Sequence, residues 1–337
     1  MKTQIERSER IALIAHENPD TDALASLVSL KKIIERNFDN KVVDIFAQTD
    51  KLDEINKPLL KEDTLNARRA EIYDLAISLD TPNLKRLGIY EEIFTSAKDS
   101  AQIDHHNTNE KFANNNLVYF TSSTTEIIYL IAKIMKLEIS DGICKAIYAG
   151  MITDTANFTQ GAKRKTTIGV INDFFNRKLE LDKIAEYYFK NNSISKNKLL
   201  EKAIHSMKFY FDGGLAIMKL NKQDFLDVGA KAGDEEGIVN QGINTKGVNI
   251  ACIFIKRDNN LYYISMRGKG GANVASIAQK FGGGGHETMA AFTYQGNLMD
   301  IKSNFFKECY SELKGCKERV NDENLFFDDV DENITSK

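Results

Sequence analysis

The 337 residues are 42% hydrophobic and 28% charged, with a formal net charge of −3, an ordinary globular profile in a chain long enough for two cores. That balance argues against a broad duplex-DNA binder, which carries a basic face, but leaves room for a small nucleotide in a local basic pocket. Cys144, Cys252, Cys309 and Cys316 form no CxxC pair, so buried thiols in a reducing compartment are expected rather than disulfides or a zinc site.

In chain order, RIALI (10–14) reads as a short buried strand and HENPDTD (16–22) as the turn after it. The apolar run before His16 is too short for a signal peptide or a membrane span, so a cytoplasmic protein is expected. From Asp22 onward, Leu24, Leu27, Val28, Leu30, Ile33 and Ile34 recur at helical spacing. KVVDIFA (41–47), YDLAISLD (73–80) and SAQID (100–104) are further strands, and strands alternating with helices predict a parallel sheet. TSSTTEIIYLIAKIMKL (121–137) is an N-capped amphipathic helix with Glu126 in its first turns, and DGICKAIYAGMITDT (141–155) is a second helix ending in Asp154.

The polar stretch KNNSISKNK (190–198) has no apolar period and reads as a linker. Beyond it, GLAIMKL (214–220), GVNIACIFIKR (247–257) and NLYYISMRG (260–268) read as strands, and ANVASIAQKF (272–281) as a helix followed by Gly282–Gly285. The domain boundaries expected are 1–187 for a first domain, 188–208 for the linker and 209–318 for a second. Residues 319–337 form an acidic tail expected to be disordered.

His16, Asp80 and Asp104 each follow a strand, and in open parallel sheets ligands bind beyond the carboxyl ends of strands. Helix capping by Asp20 or Asp22 explains one aspartate of HENPDTD, but neither the second carboxylate nor His16. Asp80 alone could simply initiate a turn before Thr-Pro, and Asp154 alone could be the polar end of a helix. Asp104-His105-His106 is harder to dismiss. Adjacent side chains at a strand end point to opposite sides, so one histidine faces a metal and the other a substrate. Histidine and aspartate ligands without cysteine suit Mn²⁺ rather than a thiolate zinc site. The set is large enough for two ions roughly 3.5–4 Å apart, the arrangement that activates water in phosphatases and nucleases.

In the second domain, four consecutive glycines let the backbone approach an anion, with His286 after them. Arg267 and Lys269 stand on a glycine-rich turn before a helix. His205 reads as an ordinary helix histidine, and Lys163-Arg164-Lys165 as a solvated loop.

HENPDTDA, LDTPN, DHH and GMITDTANF, in this order, resemble the four motifs of the DHH phosphoesterases, and SMRGKGGANVASIAQKFGGGGHETMAA resembles the DHH-associated C-terminal domain. Together they span about residues 10 to 315. The pairing is similar to the nanoRNases, which are oligoribonucleases and 3′-phosphoadenosine-5′-phosphate (pAp) phosphatases, and to stand-alone cyclic-di-AMP phosphodiesterases. The resemblance implies an α/β fold: a parallel-sheet DHH domain with flanking helices, a smaller mixed-sheet C-terminal domain, and an active site in the cleft between them. It implies two Mn²⁺ per chain, with Mg²⁺ or Co²⁺ as substitutes. His16 and Asp20 would hold the first ion, Asp80 would bridge, and Asp22, His105 and Asp154 would hold the second. His106 would contact the scissile phosphate, Asp104 would orient a histidine, and Arg267, Gly283, Gly284, Gly285 and His286 would hold the rest of the substrate.

The expected activity is hydrolysis of short single-stranded oligoribonucleotides to mononucleotides, with pAp as a further substrate and cyclic-di-AMP or linear dinucleotides as the alternative. No membrane or duplex-DNA partner is expected, and a homodimer is left open. A non-catalytic nucleotide sensor is the alternative of another class. Three positions depart from the family pattern: Thr21, Ala156 and Phe292 stand where glycine is frequent.

Overall fold

The computed structural model describes residues 1–49, 52, 54–61, 63–159, 164–257 and 260–317; Lys163 and the acidic tail lie outside them. The chain divides into two units, the first ending at Asn191 and the second beginning at Asn192.

The first unit runs α1 (Lys2–Arg7), β1 (Arg10–Ala15), α2 (Thr21–Asn37), β2 (Val42–Phe46), β3 (Leu75–Leu79), α3 (Glu91–Ser96), β4 (Asp99–Asp104), β5 (Asn115–Val118), α4 (Thr124–Ile134), α5 (Asp141–Asp154), α6 (Lys165–Asn176) and α7 (Leu181–Phe189). Its five strands lie in the order β2-β1-β3-β4-β5 and every pair is parallel. The continuous burial of Ile11–Ala15 and of Leu75–Leu79 follows from this arrangement, because a parallel sheet is covered on both faces. On one face Ile11, Leu13, Leu75 and Ile77 pack with Leu24, Leu27, Ile147 and Met151. On the other, Ala12, Ile14, Phe46 and Ala76 pack with Tyr73, Leu87 and Phe94. The chain passes from β1 to β2 on one side and reaches β3 on the other, so strand order reverses at β1, the place where such sheets bind ligands.

The second unit runs α8 (Ile194–His205), β6 (Lys208–Tyr210), β7 (Leu215–Asn221), α9 (Lys222–Val228), α10 (Asn240–Ile243), β8 (Ile250–Lys256), β9 (Leu261–Gly268), α11 (Val274–Lys280), β10 (Gly284–His286), β11 (Met289–Gln295) and α12 (Leu298–Lys317). Its sheet order is β10-β11-β9-β8-β7-β6, parallel only at β7–β8. The α/β architecture and the mixed second sheet agree with the sequence expectation.

The stretch read as a linker differs. Ser193 caps α8 by accepting from Lys196 N at 3.0 Å, and the helix buries only Leu199 and Ala203 completely, too few apolar positions to show a period. His205 is an exposed residue in its last turn. Arg164 and Lys165 open α6 rather than forming a loop. Cys144, Cys252 and Cys309 are free and buried. Among the described residues no helix is long and apolar enough to cross a membrane.

Candidate metal centre

Strand register assembles the site. Ala15 pairs with Leu79, and Leu79 with Ile103, so His16, Asp80 and Asp104 stand level at the ends of three adjacent strands. Asp80 leaves its strand with a φ of 53°, the left-handed region that costs a non-glycine residue free energy and concentrates at functional sites. Its N–H donates to Ile103 O at 3.0 Å, and the turn after it is tied down by Gln102 and Asn109, both donating to Thr81 O.

The helices add the remaining groups. Asp20 caps α2, accepting from Ala23 N at 3.0 Å, so the capping explanation holds for it while it also groups with His16 and Asp80. Asp22 accepts from Thr124 N at 2.7 Å and from Thr125 Oγ1 at 2.6 Å, placing a buried carboxylate at the N-terminus of α4, where the helix dipole favours it. Gly150 of α5 makes that contact possible: a Cβ there would stand 2.6 Å from both Asp22 Oδ1 and Thr125 Oγ1. Asp154, four residues on, is on the same face of α5.

Eight predicted residues therefore converge in the first unit. Asp80 Oδ2 lies 3.7 Å from His16 Nε2, and Asp80 Oδ1 lies 3.5 Å from His105 Nε2. His105 Nε2 is also 3.6 Å from Asp154 Oδ2. Ligand atoms held at about 2.1 Å from one ion stand about 3–3.6 Å apart, so these gaps suit a shared cation. His16, Asp20 and Asp80 offer one such set, Asp22, Asp80 and His105 a second, and Asp80, Asp104 and His106 a third.

Two further features fit a divalent pair. His16 Nδ1 is 2.8 Å from Glu17 O, and His105 Nδ1 is 3.3 Å from Thr121 O. A backbone carbonyl that accepts a hydrogen bond from Nδ1–H leaves the Nε2 lone pair for a metal. The electrostatics are also only partly compensated, with the charge of His105 set against several carboxylates. Burial first, then the charges of Asp22, Asp20, Asp104 and Asp154, pushes Asp80 well above the usual carboxylate range. Burial likewise raises Asp22, and Asp154 up to about 7. Buried carboxylates that repel one another either keep a proton or take up a cation.

His106 behaves differently. Its Nδ1 is 2.7 Å from Asp104 Oδ1, while Asp104 Oδ2 accepts from Asn109 Nδ2 at 2.6 Å. Although burial pushes Asp104 up, the hydrogen bond and charge of His106 outweigh it and hold the carboxyl below its ordinary value. The expectation that the two histidines point to opposite sides is wrong. Their rings pack edge to face with centroids 4.7 Å apart, because β4 ends at Asp104 and strand alternation no longer governs the residues after it.

The other predicted residues lie in the second unit. Arg267 and His286 both pair with Met289, one from β9 and one from β10, so they stand level across three strands. Arg267 is half-buried, donating to Met266 O at 2.9 Å, and burial lowers its pKa. The glycine run divides by cause. Gly282 takes a φ of 79° after α11, while a Cβ on Gly283 or Gly285 would collide with the backbone of β11. Only Gly284 of the three predicted glycines faces open space. Lys269, read with the anion turn, donates instead to Ile243 O at 2.5 Å and Thr245 O at 3.2 Å.

Sequence reasoning missed three contributors. Arg86 brings Nη2 within 3.1 Å of His16 Nδ1. Gly150 clears space for Asp22. Glu126, read as a helix-start acid, is fully buried and accepts from Ser122, Thr166 and Thr167. The departures from the family pattern have local accounts. Thr21 bonds Asn56 at 2.9 Å, Phe292 stacks on Phe281 at 5.0 Å, and Ala156 takes a φ of 46°, a conformation glycine adopts without strain.

Comparison with known proteins places the chain in a family. Residues 10–151 match the DHH family N-terminal domain, and residues 212–312 match the DHHA1 domain. The chain is 26% identical to the probable bifunctional oligoribonuclease and PAP phosphatase NrnA of Streptococcus mutans, over 92% of this chain and 96% of that protein. It is also 26% identical to the cyclic-di-AMP phosphodiesterase PdeA of Listeria monocytogenes, over 85% of this chain but only 45% of that protein. Its fold is similar to the crystal structure of an exopolyphosphatase-related protein from Bacteroides fragilis, with a TM-score of 0.84 and 25% identity over 94% of this chain and 96% of that one. The chain belongs to the DHH family of phosphoesterases, with the DHH N-terminal domain in its first unit and a DHHA1 domain in its second.

Proposed function

We propose that the chain is a phosphohydrolase using two Mn²⁺ ions to degrade short oligoribonucleotides to mononucleotides, with pAp as a second substrate. The observation that carries this reading is Asp80, whose Oδ2 faces His16 Nε2 at 3.7 Å while Oδ1 faces His105 Nε2 at 3.5 Å and His106 Nδ1 at 3.8 Å, so that this carboxylate would be shared by two ions. His16 and Asp20 hold one ion, and Asp22, His105 and Asp154 the other. When bound, such a pair supplies a nucleophilic water at neutral pH and neutralises charge on the phosphoryl group. His106, oriented by Asp104, donates to the scissile phosphate as negative charge builds there. Arg267, the backbone of Gly284 and Gly285, and His286 bind the remaining phosphate or base; Gly283 contributes no N–H, because its own donates to Ala278 O at 2.9 Å. The similarity to NrnA of Streptococcus mutans along nearly the whole of both chains supports the substrate class.

The test is release of mononucleotides from di- to pentaribonucleotides with Mn²⁺. No turnover by the wild type, or full turnover by Asp80→Ala, overturns the proposal. The similarity to PdeA of Listeria monocytogenes favours a second reading, cleavage of cyclic-di-AMP or its linear product. Rates measured side by side on linear pApA, cyclic-di-AMP and pAp separate the two.

A further inference from the structure

Tyr119 and Phe120 follow β5 at the same sheet edge as the metal centre, and each keeps a large exposed surface, 50% and 38%. Tyr119 N donates to Asp104 O at 3.0 Å, so the aromatic pair begins one strand spacing, about 4.8 Å, from the backbone that carries His105. The Arg164 guanidinium lies over both rings, 5.3 Å from the centroid of Tyr119 and 5.6 Å from that of Phe120.

The three residues are held by one buried acid. Ser122 Oγ and N–H donate to Glu126 from the aromatic side, and Thr166 and Thr167 donate to it from the start of α6, each at 2.8 Å. Arg164 N in turn donates to Thr167 Oγ1 at 3.2 Å. Glu126 thus fixes the aromatic segment and the arginine relative to each other before anything binds.

We propose that Tyr119, Phe120 and Arg164 form a stacking platform for a nucleobase of the substrate whose phosphate occupies the adjacent metal centre. The inference rests on the nucleotide hydrolase reading above. Exposed aromatic rings and a guanidinium plane are the surfaces on which unpaired bases stack. A phosphate would need the arginine but gains nothing from two rings, whereas a base uses all three. The rings offer stacking faces to any base, so the platform grips adenine and guanine more firmly than pyrimidines without reading sequence.

The test compares linear pApA with an analogue of the same phosphodiester whose sugars lack bases. Tyr119→Ala with Phe120→Ala lowers kcat/KM for pApA relative to the base-free analogue by roughly 5- to 100-fold, acting on KM. An equal loss on both substrates overturns the platform. A binding measurement keeps the proposal testable should the alanine variant misfold. The chain has no tryptophan, so Tyr119→Trp introduces a single reporter whose fluorescence AMP quenches and ribose 5-phosphate does not. Quenching by neither, or equally by both, also overturns the platform. A wild type that cleaves no dinucleotide sinks the hydrolase reading instead, and the fluorescence result still decides on the base site.

Discussion

Asp104 Oδ1 lies 2.7 Å from His106 Nδ1, and the carboxylate is wholly buried with its other oxygen on Asn109. That bond fixes the imidazole tautomer and leaves Nε2 as the ring's remaining donor or acceptor. Asp104→Asn keeps the shape but removes the charge, so turnover falls about 10- to 100-fold while the metal content stays at its wild-type level. Steady-state rates alongside elemental metal analysis check this. A variant that loses metal instead assigns Asp104 to the ion.

The two histidines after Asp104 are expected to fail in different ways. His105→Ala removes an Nε2 that stands 3.5 Å from Asp80 and 3.6 Å from Asp154, and lowers the number of ions bound. His106→Ala retains the ions and loses turnover. Titration with Mn²⁺ followed calorimetrically distinguishes them, and equal metal loss in both variants refutes the division of labour.

Acidity acts through the same cluster. Burial outweighs the favourable charge of His105 and sets Asp154 at about 7, against about 3.9 for an aspartate in an unfolded chain. Between those values the folded protein holds a proton the unfolded chain has released, so without metal this group erodes stability as pH rises from about 4 to about 7. Mn²⁺ requires the deprotonated carboxylate, so its stabilisation grows across the same window. Thermal melts with EDTA and with Mn²⁺ along that range are expected to diverge upward in pH. Parallel curves contradict the assignment of Asp154 as a ligand.

Gly150→Ala inserts a methyl group 2.6 Å from Asp22 Oδ1 and Thr125 Oγ1. Crowding of this kind costs about 1–3 kcal/mol. Here it also displaces a carboxylate of the centre, so Mn²⁺ affinity falls along with the melting temperature. Gly142, whose nearest neighbour is 3.9 Å away on the same helix, serves as the control, since alanine there costs neither.

The strand-end residues were readable because β1 and β3 announce themselves as nearly unbroken apolar runs, and the short β4, although it carries Ser100 and Gln102, leads straight into the conspicuous Asp104-His105-His106. β5 does not: Asn115-Asn116-Leu117-Val118 is a half-buried edge strand with no apolar signature. Glu126 reads locally as a helix-start acid, and nothing in the sequence shows that Thr166 and Thr167 arrive beside it. The glycine run was legible as a special backbone, but not the reason, which for Gly283 and Gly285 is the closeness of β11. The two adjacent histidines misled because strand alternation was carried past the end of the strand.

The dispersal of the centre along the chain has a consequence during synthesis. His16 and Asp20 emerge early, Asp80 and His105 later, and Asp154 only at the end of α5, with Asp22 clamped to a helix made after it. A nascent chain halted before Asp154 carries at most part of the donor set. With the ligand set proposed above, ion uptake would wait for nearly the whole first unit to leave the ribosome, and metal capture would mark the completion of that unit's fold rather than its beginning.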